Sequence, residues 1–353
     1  MRAFVVTGPH EAGVDEVPDP VAGAGEVVVE VERVGVCGTD VEFFTGEMPY
    51  LLDGHARYPI RLGHEWMGRV CEVGAGVDPS WIDRRVTADT MLGCGACPRC
   101  ESGRQHVCDH RTEIGIRGAR PGALAEWIAV PVQALHALPD SVDATLGALV
   151  EPGGNALRCV QAADLQLGDR VLVFGPGTIG LLVAMLARAR GAQVDLVGVT
   201  DESLAFARSI GFERACRLQD LDGESYDAVI DASHDPQVPG RAVDLVEPGK
   251  RIVYIGLAGV PSTIDSRMLV LKDVTAIGVL SASPGLSGAI EAFASGAVDP
   301  RPLVCATVDL SQVADVLAGG RPPNAGPGPK VHVDPRQDAA GPRSPSVLVG
   351  AHG

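Results

Sequence analysis

The stretch DRVLVFGPGTIGLLVAMLARARGA, residues 169–192, decides the fold. Val171 to Phe174 are apolar without alternation, as a strand buried on both faces requires. Gly175, Gly177 and Gly180 follow as a glycine turn, and Leu181 to Ala187 supply an apolar helix. The first glycine permits the tight turn, and the second lets backbone approach a pyrophosphate. The third allows close packing of helix on strand. A strand before and a helix after separate a dinucleotide-binding turn from a chance G-x-G-x-x-G. Gly175, Gly177, Thr178, Ile179 and Gly180 are therefore expected to hold a dinucleotide.

The same alternation continues outward. VDLVGVT (194–200) reads as a strand and DESLAFARSIGF (201–212) as a helix; YDAVIDAS, KRIVYIGLAG and VTAIGVLSAS extend the series to residue 283. Covered strands alternating with helices predict an α/β doubly wound parallel sheet over 153–298. An acidic residue commonly ends the second strand of such a unit and holds the ribose 2'-hydroxyl. Gly198 stands at that place, with Thr200 and Asp201 just beyond and no arginine beside them in the sequence. NAD and NADP both stay open.

Residues 1–152 differ in kind. AFVVTG, GEVVVEVERVGVC, GRVCEVGAGV, RRVTAD and AEWIAVP are short β-like runs broken by glycine and proline, which predicts an irregular, mainly β body. The chain is expected to return to that body over 299–334, with VHVD as a last strand, and 335–353 to form a disordered tail.

The net charge of -16 and pI near 4.9 leave no basic stripe, so nucleic acid and anionic membrane are poor partners. MRAFVVTGPHEAG turns polar too early for a secretory signal, and the apolar run at 179–187 is too short to span a bilayer. The expected location is the cytoplasm. Nine cysteines there point to metal rather than disulfides.

Cys94, Cys97, Cys100 and Cys108 follow a C-x2-C-x2-C-x7-C pattern within a lobe at about 90–115. Four thiolates saturate tetrahedral zinc and leave no place for substrate, so this site is expected to be structural. His106 and His110 would then be surface residues, and Cys71, Cys159, Cys216 and Cys305 ordinary core residues. A second set is dispersed: Cys37 in GVCGTD, His64 and Glu65 in RLGHEWMGRV, and Glu151 in ALVEPGG. One thiolate, one imidazole and one or two carboxylates suit a zinc that keeps an open position. Trp66 beside them is expected either in the cleft or in the core, and His234 could lie near the cofactor.

With Cys37-Gly-Thr-Asp, Gly63-His64-Glu65, the four-cysteine lobe and the fingerprint in place, the chain resembles the zinc-dependent medium-chain dehydrogenase/reductase family over about residues 1–333. The resemblance implies a mainly β GroES-like catalytic domain joined to the Rossmann domain, with a catalytic zinc, a structural zinc and NAD or NADP. It implies Cys37, His64 and Glu151 as ligands of the catalytic zinc, with Glu65 a carboxylate just behind them. Asp40 would hydrogen-bond His64 and so orient it, and Thr39 would hand on the substrate proton. Most members have a histidine where this chain has Glu42; there the chain also resembles the glucose dehydrogenase branch. EPGGNALRC likewise carries Asn155 and Arg158 where polyol dehydrogenases have an aliphatic residue and a histidine. The implied reaction is hydride transfer between a hydroxyl and a carbonyl on a polyol, cyclitol or sugar-like substrate. Sugar oxidation at the first carbon and a specialised biosynthetic alcohol are the alternatives. Family members are dimers or tetramers, so a homodimer or homotetramer is expected.

Overall fold

The computed structural model describes residues 1–223, 225–338 and 341–342. Strand Arg170–Phe174 lies at the centre of a six-stranded sheet, flanked in parallel by Gln193–Val197 and Tyr226–Asp231. Ala215–Cys216 extends one side; Val246–Tyr254 and Thr275–Gly278 extend the other. The chain order reverses beside Arg170–Phe174, the place where parallel α/β sheets open a ligand crevice.

Helix Thr178–Ala189 explains why the fingerprint is spelled with glycine. Gly175 has φ +88°, and a Cβ on Gly180 would sit 1.9 Å from the Gly175 carbonyl oxygen. Leu181 to Ala187 are buried on this helix, which packs on helix Val150–Ala163. Truncating Leu181 there would cost about 2–5 kcal/mol by leaving a cavity. The same core takes in Met67 and Leu138 from the first 150 residues, so the two halves share packing.

The other half is built on a seven-stranded sheet. Its order is Val304–Val308, Lys330–Val333, Glu26–Gly35, Glu65–Val73, Arg85–Ala88 and Leu135–Ala137, with Trp127–Pro131 also paired to Glu26–Gly35. Strand Lys330–Val333 therefore returns the end of the chain to the sheet that its beginning started. Val27, Val29, Val31, Leu62 and Trp66 form part of a second core. Trp66 is a packing residue.

Three expectations change here. Cys37-Gly-Thr-Asp opens a helix, Gly38–Thr45, inside the β body, because Asp40 caps the turn that starts it. Among the cysteines expected in the core, Cys159 is buried, Cys216 and Cys305 are half-buried, and Cys71 is exposed on the outer face of its strand. Of the expected tail, Gln337–Asp338 pairs with Gly341–Pro342, and the Pro335 carbonyl accepts from Arg2; 339–340 and 343–353 lie outside the described residues.

Candidate active site

Strand pairing brings Cys37 and His64 together. Gly35 lies opposite Glu65 in the antiparallel pair, so Cys37, two residues beyond one strand, faces His64, one residue before the other. Asp40 fastens the junction: Oδ2 accepts the Cys37 N–H at 2.9 Å and Oδ1 accepts the Gly63 N–H at 3.3 Å. The same Oδ1 lies 3.7 Å from His64 Nδ1, a charge contact longer than a hydrogen bond, and Nδ1 has no hydrogen-bond partner. Burial raises the Asp40 pKa. Burial opposes a proton on His64, but Cys37, Asp40 and Glu151 outweigh it and raise its pKa well above the ordinary value.

Donor atoms of Cys37, His64 and Glu65 all lie within 4.8 Å of one another. Glu151, in the first turn of helix Val150–Ala163, falls outside that group but is buried beside it, and burial pushes its pKa up to about 7. Asn155, one turn later, donates to Glu151 Oε1 at 3.0 Å, which accounts for a polar residue on that face. Arg158 donates to the carbonyls of Leu280 and Ser281, tying this helix to the loop after strand Thr275–Gly278.

Lys330 is the residue that sequence reasoning missed. Its ammonium is buried and donates to Glu65 Oε2 at 2.6 Å and to the Val36 carbonyl at 2.9 Å. The chain has only three lysines, and one placed at the head of an apolar strand was the available signal. Burial lowers the Lys330 pKa, but Glu65 and Cys37 reverse the sign and hold it above the ordinary value.

Thr39 and Glu42 are half-buried on helix Gly38–Thr45, the turn that carries Cys37. Burial, reinforced by Glu47, raises the Glu42 pKa.

The four-cysteine lobe closes as its spacing requires. Strands Met91–Leu92 and Thr112–Glu113 pair at its base. Cys97 Sγ lies 3.6 Å from Cys100 Sγ and 3.8 Å from Cys108 Sγ, and Cys94 completes the group. Four convergent thiols with no acidic or imidazole donor among them fit a saturated zinc site. A buried imidazole grouped with a thiol and a carboxylate within 4.8 Å fits a zinc site with room for another ligand. His110 is exposed, but His106 is buried with an unpartnered Nδ1, because the turn Gln105–Val107 folds inward to place Cys108.

The dinucleotide turn leads into a helix N-terminus with no side-chain cap. Gly177 caps helix Thr178–Ala189 without a side-chain hydrogen bond, and a Cβ there would meet nothing within 4 Å. These are the open approach and free N–H groups that a pyrophosphate needs. At Gly198 a Cβ would lie 2.6 Å from Pro176 Cγ, so the turn itself disfavours the usual acid. Thr200 caps helix Asp201–Ser209, and Asp201 is exposed. The expected lack of a nearby arginine is corrected by the fold. Arg217, from the neighbouring strand's end, donates to the Val199 carbonyl at 2.8 Å and to Asp201 Oδ1 at 2.7 Å. His234 is exposed after the Asp231 turn.

Known proteins are similar to this chain in sequence and in fold. The family model described as the alcohol dehydrogenase GroES-like domain matches residues 23–140, and that described as zinc-binding dehydrogenase matches 178–295. The L-threonine 3-dehydrogenase of Anaeromyxobacter dehalogenans is 31% identical over 293 residues, covering 79% of this chain and 83% of that protein. The sorbitol dehydrogenase of Halalkalibacterium halodurans is 29% identical, covering 80% and 85%. An alcohol dehydrogenase of Escherichia coli CFT073, solved with NADH, superposes with TM-score 0.86 at 26% identity, covering 95% and 99% of the two chains. A zinc-binding dehydrogenase of Sinorhizobium meliloti 1021, solved with NADP, gives 0.85 at 27%, with the same coverage. The chain belongs to the zinc-dependent medium-chain dehydrogenase/reductase family and is an NAD(P)-dependent alcohol or polyol dehydrogenase.

Proposed function

We propose that the substrate is a small polyhydroxy compound, a polyol, cyclitol or sugar, oxidised reversibly at one hydroxyl. The observation that carries this reading is the polar cradle of Cys37, His64, Glu65 and Glu151, with Glu42 on the adjoining helix. Cys37, His64 and Glu151 would hold the catalytic zinc, with Glu65 a carboxylate just behind them. Cys94, Cys97, Cys100 and Cys108 would hold the structural one. When bound, the zinc supplies Lewis acidity and the nicotinamide accepts hydride. Asp40 fixes the Cys37 turn and faces the far side of His64, so both donors are held before substrate arrives. Thr39, two residues beyond Cys37, passes the substrate proton outward, and Glu42 receives it as a carboxylate. Initial rates with polyols, aldoses, cyclitols and simple alcohols, each with NAD and NADP, test the reading. A response confined to simple alcohols overturns it.

The adenosine end favours NADP. Gly198 offers no carboxylate to a 2'-hydroxyl, and the Arg217 guanidinium beside Asp201 is a donor suited to a 2'-phosphate. The chain would also be a homo-oligomer. Edge strand Thr275–Gly278 has an open side, and Val270, Leu271 and Leu280 beside it are exposed at 80%, 77% and 42%.

A further inference from the structure

The cavity between the 54–61 segment and the 116–121 loop has no place in the reading above. Its volume is about 600 Å³, and among the described residues it is lined by Arg57, Arg61, Arg117, Arg120 and His55 with no aspartate or glutamate. That lining is unexpected in a chain with 45 acidic and 29 basic residues.

The guanidinium groups are not equally engaged. Arg120 pairs with Glu26 at 2.9 Å. Arg117 meets His55 Nε2 at 3.3 Å and lies over the Tyr50 ring. Among the described residues Arg61 is held by one bond, from Nε to the Gly122 carbonyl at 2.8 Å. Neither Arg61 nor Arg57 pairs with a carboxylate among the described residues. Burial lowers the Arg61 pKa to about 10, so a charge is kept there against its desolvation cost. A half-buried cation with donors to spare is a site for an oxyanion.

The cavity wall is close to the catalytic centre along the chain. Arg61 precedes His64 by three residues, so the two are at most about 11 Å apart along the chain. The 116–121 wall follows Ile114, whose N–H donates to the Thr90 carbonyl, and the Thr90 hydroxyl donates in turn to the His64 carbonyl.

We infer that this cavity is an oxyanion subsite that holds the phosphate or carboxylate end of the polyhydroxy substrate, with Arg61 and Arg57 as its specific contacts. This rests on the dehydrogenase reading and narrows it: the substrate is a polyol or sugar bearing a phosphate monoester or an acid group. A hydroxylated chain reaching from this subsite to the centre would have its charged end fix which hydroxyl reacts.

Two measurements on the zinc-loaded full chain test it. Calorimetric titration with inorganic phosphate at low ionic strength is expected to show saturable binding, weakened at least tenfold by Arg61→Gln and by Arg57→Gln. Arg267→Gln, outside the cavity lining and exposed on helix Ser266–Leu271, is expected to leave it unchanged. Arg57 is exposed, so its variant keeps the test valid should Arg61→Gln fail to fold. The second measurement compares kcat/KM for a polyol, its monophosphate and the matching sugar acid. An advantage of at least tenfold for one charged member is expected, reduced in both arginine variants; which member wins separates phosphate from carboxylate. Phosphate binding without hydride transfer to any substrate keeps the subsite and overturns the dehydrogenase reading. Turnover of neutral polyols with no phosphate binding and no charged advantage keeps that reading and overturns the subsite.

Discussion

Lys330 Nζ lies 2.6 Å from Glu65 Oε2, and both side chains are buried beneath the residues assigned to the metal. The lysine comes from the last strand of the large sheet and the glutamate from a central one, so the ion pair joins the two ends of the catalytic half. Its role is to hold the Glu65 carboxylate in place without adding net charge to the site.

Breaking this pair from one side strands a charge. Lys330→Met is expected to lower unfolding stability by about 3–5 kcal/mol. Lys330→Met with Glu65→Gln should recover much of that loss, because no unpaired ion is left. Chemical denaturation midpoints of the three proteins check it.

The neighbouring His332 sets an acid limit. It is fully buried with neither ring nitrogen partnered, and burial, then Lys330 and Arg33, holds its pKa well below the ordinary 6.5. A depressed folded pKa contributes stability above the unfolded value and loses it as pH falls. The expected loss begins near pH 6.5 and approaches about 1.4 kcal/mol per pH unit. His332→Leu should flatten that part of the curve between pH 7.5 and 5, measured against the parent protein.

How much of this was legible in the sequence depended on distance along the chain. The glycine fingerprint and the four-cysteine spacing are local, and both fold as read. Cys37 and His64 could be named but not joined until the Gly35–Glu65 register put them face to face. Lys330, Arg217 and the arginine cavity depend on contacts between segments remote in sequence, which no local spacing encodes. His106 was misread because histidine beside a metal loop has no periodicity to show which way it points.

Glu42 should govern the acid limb of the rate. A relay carboxylate accepts a proton only when ionised, and its pKa is raised, so oxidation should fall as pH drops through that raised value. Glu42→Gln should lower kcat and abolish the limb. Glu42→His should restore the rate with the limb moved toward 6.5. The pH profile of kcat/KM separates the cases.

Arg217 should set cofactor preference. Calorimetry with 2',5'-ADP and 5'-AMP is expected to show tighter binding of the former. Arg217→Ala should remove about 1.5–3 kcal/mol of that advantage, the contribution of a charged hydrogen bond. Unchanged discrimination would place the 2' site elsewhere.

Cys37 is the residue on which the account depends, since it alone supplies the thiolate among the proposed catalytic ligands. The decisive measurement is the rate of nicotinamide reduction by zinc-loaded Cys37→Ser against the parent protein, with a polyol panel that includes phosphorylated and acidic members. Loss of several kcal/mol of transition-state stabilisation, about a thousandfold in kcat, with the structural zinc still bound, is the predicted result. A Cys37→Ser protein that turns over at the parent rate would contradict the assignment of this centre.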